Sequence, residues 1–200
     1  MNNISLSSFG EIIISELTCW TIQCWHLDTY PAFGSLIVVE YDHTCCFGVV
    51  SRIQTQANDK SRTPFAFGKT RQELQQEQPH IFQLLHTTVQ CIPLSYKDHH
   101  HIIHEIPQRS APIHTFAGVA SAALLKDFFE SPAWLITFFN LAQHDPLFDE
   151  LLIALLRTGH QQGALQQKNI QEIIDIFSLM THSDYRKLKI FLQRIEIFID

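Results

Sequence analysis

The sequence predicts an α+β protein in which a small N-terminal β-barrel is followed by an all-helical half. Up to about residue 118, apolar residues alternate with polar ones or form short runs rich in β-branched and aromatic side chains, which is typical of strands. From residue 119 onward, apolar residues recur every three or four positions, as in helices that pack on one face. We therefore expect a barrel domain at 9–118 and a helical domain at 119–200.

The predicted barrel has about six strands and an inserted helical segment. The strands are expected at 12–17 running on into 20–26, at 35–41, at 45–56, at 88–96 and at 101–106. Gly48 lies inside an apolar run where a strand normally presents a side chain, so it predicts a bulge or a sharp bend. Small barrels need such corners to close. Pro107 and Pro112 are expected to end the β region.

Capping signals mark the helices. After a polar loop at 57–69, Thr70 and Glu73 have the spacing of a capping box, which predicts that a short helix begins at Thr70. Pro79 interrupts this segment, and a second amphipathic turn follows. Apolar stripes predict four helices after residue 131 and one more over 120–130. Three of their starts are marked by Ser131-Pro132, by Asp145-Pro146 and by Asn169-x-x-Glu172.

The apolar stripes of the helical half have the spacing of a packed core. Two pairs of aromatic residues on neighbouring helices leave an alternative open. These are Phe128, Phe129, Phe138 and Phe139, and either they are buried in the core or they form an interaction face.

The composition is that of a globular protein, with 46% hydrophobic residues, 17% charged residues and a net charge of −6. Residues 1–118 and residues 119–200 each carry 7 basic and 10 acidic side chains, so neither half is a basic nucleic-acid module. The chain has neither an apolar run long enough to cross a bilayer nor the pattern of a secretory signal. We expect a cytoplasmic protein without a membrane span.

The five cysteines do not have the spacing of a zinc site or of a disulfide framework. They are Cys19, Cys24, Cys45, Cys46 and Cys91, and we expect them to be free thiols packed as small apolar groups.

Two motifs suggest a ligand without completing a site. Gly68-Lys69-Thr70 is similar to the end of a P-loop, but Thr63 stands where a P-loop needs glycine, so we expect Thr70 to cap a helix instead. A second cluster consists of His99, His100, His101 and His104. On a strand, each face would present two of these imidazoles, fewer than a metal site needs. We interpret the cluster as a histidine-rich surface hairpin, with metal binding left open.

No catalytic residue and no cofactor is predicted. The sequence contains no Gly-x-Ser-x-Gly motif, no cysteine in a catalytic context and no paired carboxylates in a glycine-marked loop. A Cys/His pair assembled through space stays open.

One stretch departs from the background in charge. Five of the 14 basic residues fall within 20 positions, against the single acid Asp59. These candidate partner-binding residues are Arg52, Lys60, Arg62, Lys69 and Arg71. Loops on rigid barrels often hold binding residues, so the hypothesis is a contact with an acidic partner or a nucleic acid.

Short apolar motifs in the first half resemble the HAS barrel. Phe33-Gly34-Ser35-Leu36-Ile37-Val38 is followed about ten residues later by Phe47-Gly48-Val49-Val50. Further matches, to stand-alone HAS-barrel proteins of the cyanobacterial type, are Arg62-Thr63-Pro64, Gln78-Pro79 and Pro112-Ile113-His114. The resemblance covers roughly residues 9–120. In HerA-type ATPases and ATP synthase subunits this barrel is an assembly element at one end of a ring, and a RecA-like domain performs the nucleotide chemistry.

The resemblance therefore implies a fold and an assembly role, and it brings no catalytic residue, because helices stand where those ATPases have the RecA-like domain. We expect a non-enzymatic interaction or assembly module whose partner is another protein or a second copy of the chain. One alternative is an accessory protein of a nucleic-acid-processing or ring-ATPase machine, against which the net charge argues. The other is an enzyme with a spatially assembled His/Cys site.

Overall fold

The computed structural model describes residues 8–59, 61–98, 101–182 and 184–199, and within these ranges the chain forms seven strands and seven helices. The strands are β1 (Ser8–Ser15), β2 (Trp20–Cys24), β3 (Leu36–Tyr41), β4 (Thr44–Ala57), β5 (Leu85–Asp98), β6 (His101–Ile103) and β7 (Phe116–Val119). The helices are α1 (Arg71–Glu77), α2 (His80–Gln83), α3 (Ala122–Phe129), α4 (Trp134–Ala142), α5 (Phe148–Gln161), α6 (Gln167–Met180) and α7 (Tyr185–Ile199).

Six of the strands close into an antiparallel barrel. Their order is β2-β1-β7-β3-β4-β5, and β2 pairs back onto β5 to complete the ring. The helices α1 and α2 form an insertion between β4 and β5, and α3 to α7 follow the barrel. The predicted α+β class, a barrel and then helices, is confirmed.

The strand that closes the barrel differs from the one that the sequence predicted. Only His101–Ile103 of the expected strand at 101–106 forms, and it adds to β5 outside the ring. The sixth barrel strand is instead β7, which lies beyond Pro112 and pairs with both β1 and β3. The expectation that the prolines end the β region was therefore wrong. The strand β7 has only four residues, one of them glycine, which are too few to show an alternating pattern. Its stability therefore comes from pairing with two neighbouring strands and not from the strand propensity of its residues.

The strands β3, β4 and β5 separate two apolar cores, and where the helices cover them they are buried on both faces. Their inward side chains fill the barrel, among them Ile37, Val39, Cys46, Val50, Val89 and Cys91. Their outward side chains contact the helices, namely Leu36, Val38, Phe47, Val49, Ile92 and Leu94. This double burial explains why β3 is a continuous apolar run instead of an alternating one.

An aromatic cluster joins the helices to this outer face of the barrel. The Phe128 ring lies 5.9 Å from that of Phe47 on β4, and it stacks on Trp134 at 5.6 Å. Phe129, Phe138 and Phe139 pack in the same core. All four candidate phenylalanines are buried, so core packing is confirmed and the interaction face is excluded for them.

The helix starts lie close to the capping signals. The hydroxyl of Ser131 accepts from the Ala133 N–H at 3.4 Å, and the carboxylate of Asp145 accepts from the Leu147 N–H at 2.8 Å. Each of these two hydrogen bonds closes a turn that precedes a helix. The helices α4 and α5 therefore begin a few residues later than the sequence predicted.

Asn169 was wrongly predicted as an N-cap. It is the third residue of α6, whose cap is Gln166. The Asn169 side chain accepts from the Gln166 N–H and donates to the Glu130 carbonyl, each at 3.3 Å. This buried amide therefore ties the start of α6 to the end of α3.

Two glycines permit close approaches that a larger residue would prevent. Gly34 has a φ of +79°, and a Cβ there would lie 2.4 Å from the Ala154 Cβ of α5. Gly48 lies against Trp20 inside the barrel, where a Cβ would come within 2.8 Å of the indole ring. The pairing of β4 with β5 changes register at Gly48, so the predicted irregularity is confirmed.

The contact between Gly48 and Trp20 gives a stability test. We expect Gly48→Ala to lower the free energy of unfolding by about 1–3 kcal/mol, because the ring is fully buried and has no room to move. Urea denaturation measures this cost. In a Trp20→Phe background the same substitution should cost at least about 0.5 kcal/mol less. Equal costs in the two backgrounds would show that the ring contact is not the reason for glycine.

Candidate interaction site in the β4–β5 insertion

The insertion runs from the end of β4 at Ala57 to the start of β5 at Leu85. Its first helix, α1, begins at the predicted capping box. The Glu73 N–H donates to the Thr70 hydroxyl at 3.3 Å, and the Thr70 N–H donates to the Glu73 carboxylate at 2.7 Å. The Thr70 N–H and the Thr70 hydroxyl both donate to this carboxylate, and they lower the pKa of Glu73. Thr70 is therefore a helix cap, as the sequence predicted.

An apolar groove of about 650 Å³ opens on the surface of the insertion. Its apolar lining comes from the loop, from α2 and from the start of β5, and it includes Pro64, Phe65, Phe67, Ile81, Leu84 and Leu85. Phe65 is 83% exposed and Leu84 is 56% exposed. Exposed apolar side chains that border one concavity mark a contact surface more strongly than scattered ones do.

Each candidate basic residue that the structure describes is paired with a carboxylate. Lys69 pairs with Glu77 of α1. Arg62 lies 3.2 Å from Asp59, Arg71 lies 2.6 Å from Asp28, and Arg52 lies 3.5 Å from Asp145. Lys60 lies outside the described residues. These ion pairs are exposed, so each one adds little to the stability of the fold.

The structure brings three of these residues to the insertion and places the fourth elsewhere. Arg62 borders the apolar groove, and Arg71 also lies 4.9 Å from the centre of the Phe82 ring of α2. Arg52 is on β4 and lines a separate groove. The positive charge counted along the sequence is offset by Asp59 and Glu77 within the insertion and by Asp28 and Asp145 from other parts of the chain. That these basic residues bind a partner stays a prediction.

The sequence pattern does not predict the aromatic residues of the groove. Phe65 and Phe67 lie in the stretch 57–69, which the sequence predicts to be a polar loop. They belong to no predicted strand or helix, and two aromatic side chains in a loop rich in Pro, Gly and Ser are a signal of exposure.

The histidine cluster does not form a metal site in the part that is described. His99 and His100 lie outside the described residues, His101 is exposed on β6, and His104 follows that strand half-buried. The His104 Nδ1 lies 2.7 Å from the hydroxyl of the fully buried Ser95. Among the described residues, no group of three His, Cys, Asp or Glu side chains has the geometry to hold a metal ion.

His104 instead lies where the barrel meets the helices. The Thr137 hydroxyl of α4 donates to the His104 carbonyl at 2.7 Å, and the imidazole edge lies against the Phe128 ring. Burial lowers the pKa of His104 to about 4. The neutral ring therefore belongs to the folded state.

This burial makes stability depend on pH. Because the folded pKa lies below the unfolded value, stability is lost as the pH falls from about 6.5 to about 4, by about 3 kcal/mol in all. Urea denaturation across this range measures the loss. His104→Asn, which keeps a polar side chain near Ser95 but does not titrate, should give a flatter curve. Curves of equal slope would exclude His104 as the cause.

The cysteines are free, and Cys24, Cys46 and Cys91 are buried in the barrel core. Burial raises the pKa of Cys24 to about 11 and that of Cys45 to about 12, and it raises the pKa of Cys91 as well. Thiols that stay protonated at neutral pH are poor nucleophiles and poor metal ligands.

Within the described ranges, no helix has the length and apolar character needed to cross a bilayer. Comparison with known proteins finds no protein-family model that matches the chain and no curated protein that matches it.

Proposed function

We propose that the chain is a non-enzymatic protein-interaction or assembly module, and that its β4–β5 insertion holds an apolar segment of another protein. The observation that carries this proposal is Phe65, a phenylalanine with 83% of its surface exposed beside an apolar groove. Burying a large apolar side chain gains about 1.5–3 kcal/mol, so Phe65 and Leu84 offer affinity to a partner that covers them.

The groove is held in place before any partner arrives. The capping box fixes the start of α1, and Arg71 links this helix to Asp28 in the β2–β3 connection. The Asn58 side chain donates to the Gln83 carbonyl at the end of α2, 3.0 Å away. A preorganised surface loses less conformational entropy on binding than a mobile loop does.

We also assign the barrel to the HAS kind and the protein to the cytoplasm. The closed six-strand barrel and the motifs around Gly34 and Gly48 support the first assignment. Five free thiols support the second, because a reducing compartment keeps thiols unpaired. Carboxylates beside Arg52, Arg62, Lys69 and Arg71 argue against a nucleic-acid partner.

Quantitative affinity purification from the native host tests the proposal. A protein recovered with the wild-type chain should fall at least tenfold with Phe65→Asp, which corresponds to about 1.4 kcal/mol. Leu179→Asp is the matched control, because Leu179 is similarly exposed but lies on α6. Recovery should be unchanged with that variant.

Replacing Arg62, Lys69 and Arg71 by Ala tests the contribution of charge, and we expect a smaller loss that disappears at high salt. Equal recovery with Phe65→Asp and with wild type would contradict the proposal. The absence of any protein enriched over a tag-only control would contradict it too.

A further inference from the structure

The outer face of the barrel changes character halfway along its two longest strands. On β5 the outward residues Ile92 and Leu94 are apolar and covered by helices, whereas Thr88 and Gln90 are polar. β4 changes in the same way, and its pairing with β5 shifts register between Val50 and Arg52, where the change occurs. The helices therefore cover the apolar half of this face, and on the polar half Arg52 and Gln54 are exposed, Gln90 is half-buried and Thr88 is buried.

The polar half carries two rows of polar side chains in register across three strands. Thr21, Gln90 and Arg52 are paired partners on β2, β5 and β4, and so are Gln23, Thr88 and Gln54. Their neighbours Ile22 and Val89 point into the barrel and are fully buried, so these six side chains point outward. We call these six residues the amide face.

Apolar side chains lie beside the amide face. Phe33 and Leu147 line a groove of about 470 Å³ together with Arg52, Gln54, Thr88 and Gln90. Trp25 follows β2 directly, two residues beyond Gln23. It is 46% exposed, and its ring contacts that of Phe116 edge-on at 5.2 Å.

Hydrogen-bonding groups on this face are available to a ligand. Among the described residues, the side chains of Gln23 and Gln90 have no hydrogen-bond partner. Gln54 uses its amide N–H toward Gln56 at 3.2 Å, which leaves its carbonyl oxygen open. Each glutamine amide offers two donors and two acceptor positions, so the face can match a ligand that both donates and accepts.

The amide face carries too little positive charge to bind a polyanion. Arg52 is its single charged residue, and its guanidinium lies 3.5 Å from the carboxylate of Asp145. Nucleic acids require several unpaired cations along their path. A neutral ligand with many hydroxyl groups suits the three glutamine amides, and an exposed indole ring suits the apolar face of a sugar.

We propose that the amide face binds a neutral oligosaccharide. Gln54, Gln90 and Arg52 hydrogen-bond the hydroxyl groups, and Trp25 packs on a sugar ring. Neighbouring strands are about 4.8 Å apart, so the rows present bonding groups at intervals comparable with the size of one sugar ring. This site is independent of the groove at Phe65, and either proposal can fail without the other.

The test uses the full chain with cellohexaose, maltohexaose, chitohexaose and mannohexaose as probes. Saturation-transfer NMR and tryptophan fluorescence report binding, and Trp25 is the accessible reporter because Trp20 and Trp134 are fully buried. At least one probe should bind with a Kd of about 1 mM or tighter. Its affinity should be constant between about 0.05 and 0.5 M salt, because a neutral ligand releases no counterions.

Substitutions on the amide face test whether the sugar binds there. The double variant Gln54→Ala/Gln90→Ala should bind at least tenfold more weakly, and Trp25→Ala should bind more weakly and lose the fluorescence change. Gln75→Ala/Gln76→Ala is the matched control, because it removes two exposed amides from α1, and it should bind as wild type does. Circular dichroism confirms that each variant is folded.

Three results would overturn the proposal. One is that none of the four probes binds, and another is that Gln54→Ala/Gln90→Ala binds the sugar as tightly as wild type. The third is that oligo(dT) binds and is lost in the double variant while the sugars do not bind, which would assign the face to single-stranded nucleic acid.

Discussion

The rest of the structure depends on one constraint: β3, β4 and β5 are buried on both faces where the helices cover them. The inward side chains of these strands fill the barrel around Trp20. Their outward side chains form the surface against which Phe128 and Trp134 pack. A single layer of backbone therefore belongs to two cores. The helices must stay on the barrel for the outward apolar side chains to remain out of water.

This constraint also decides which surfaces are free to bind. The helices cover the outer face of β4 and β5 as far as Val49 and Ile92, and beyond that point the same strands turn polar outward. The insertion leaves the barrel from the ends of these strands and presents an apolar groove. The scaffold thus offers two surfaces of different chemistry, an apolar one that we propose binds a protein segment and an amide-rich one that we propose binds a neutral ligand.

The sequence predicted those features that depend on local spacing. The change from strand to helix period, the capping box at Thr70 and the irregularity at Gly48 all depend on residues close together in the chain. Several of the missed features depend on distant pairing. The strand β7 forms because β1 and β3 lie on either side of it, and Asp28 and Asp145 come from other parts of the chain to offset the basic loop. The registered rows of the amide face likewise required the strand pairing.

Hydrogen–deuterium exchange of the full chain in increasing denaturant tests most directly whether the barrel and the helices form one unit. The account predicts that the amides of β3 (Leu36–Tyr41) and α4 (Trp134–Ala142) share the highest protection and lose it together, because both pack in the same core. The loop 61–69 should exchange earlier. Loss of protection in α4 at a denaturant concentration where β3 remains protected would contradict the shared core and would show two independent domains.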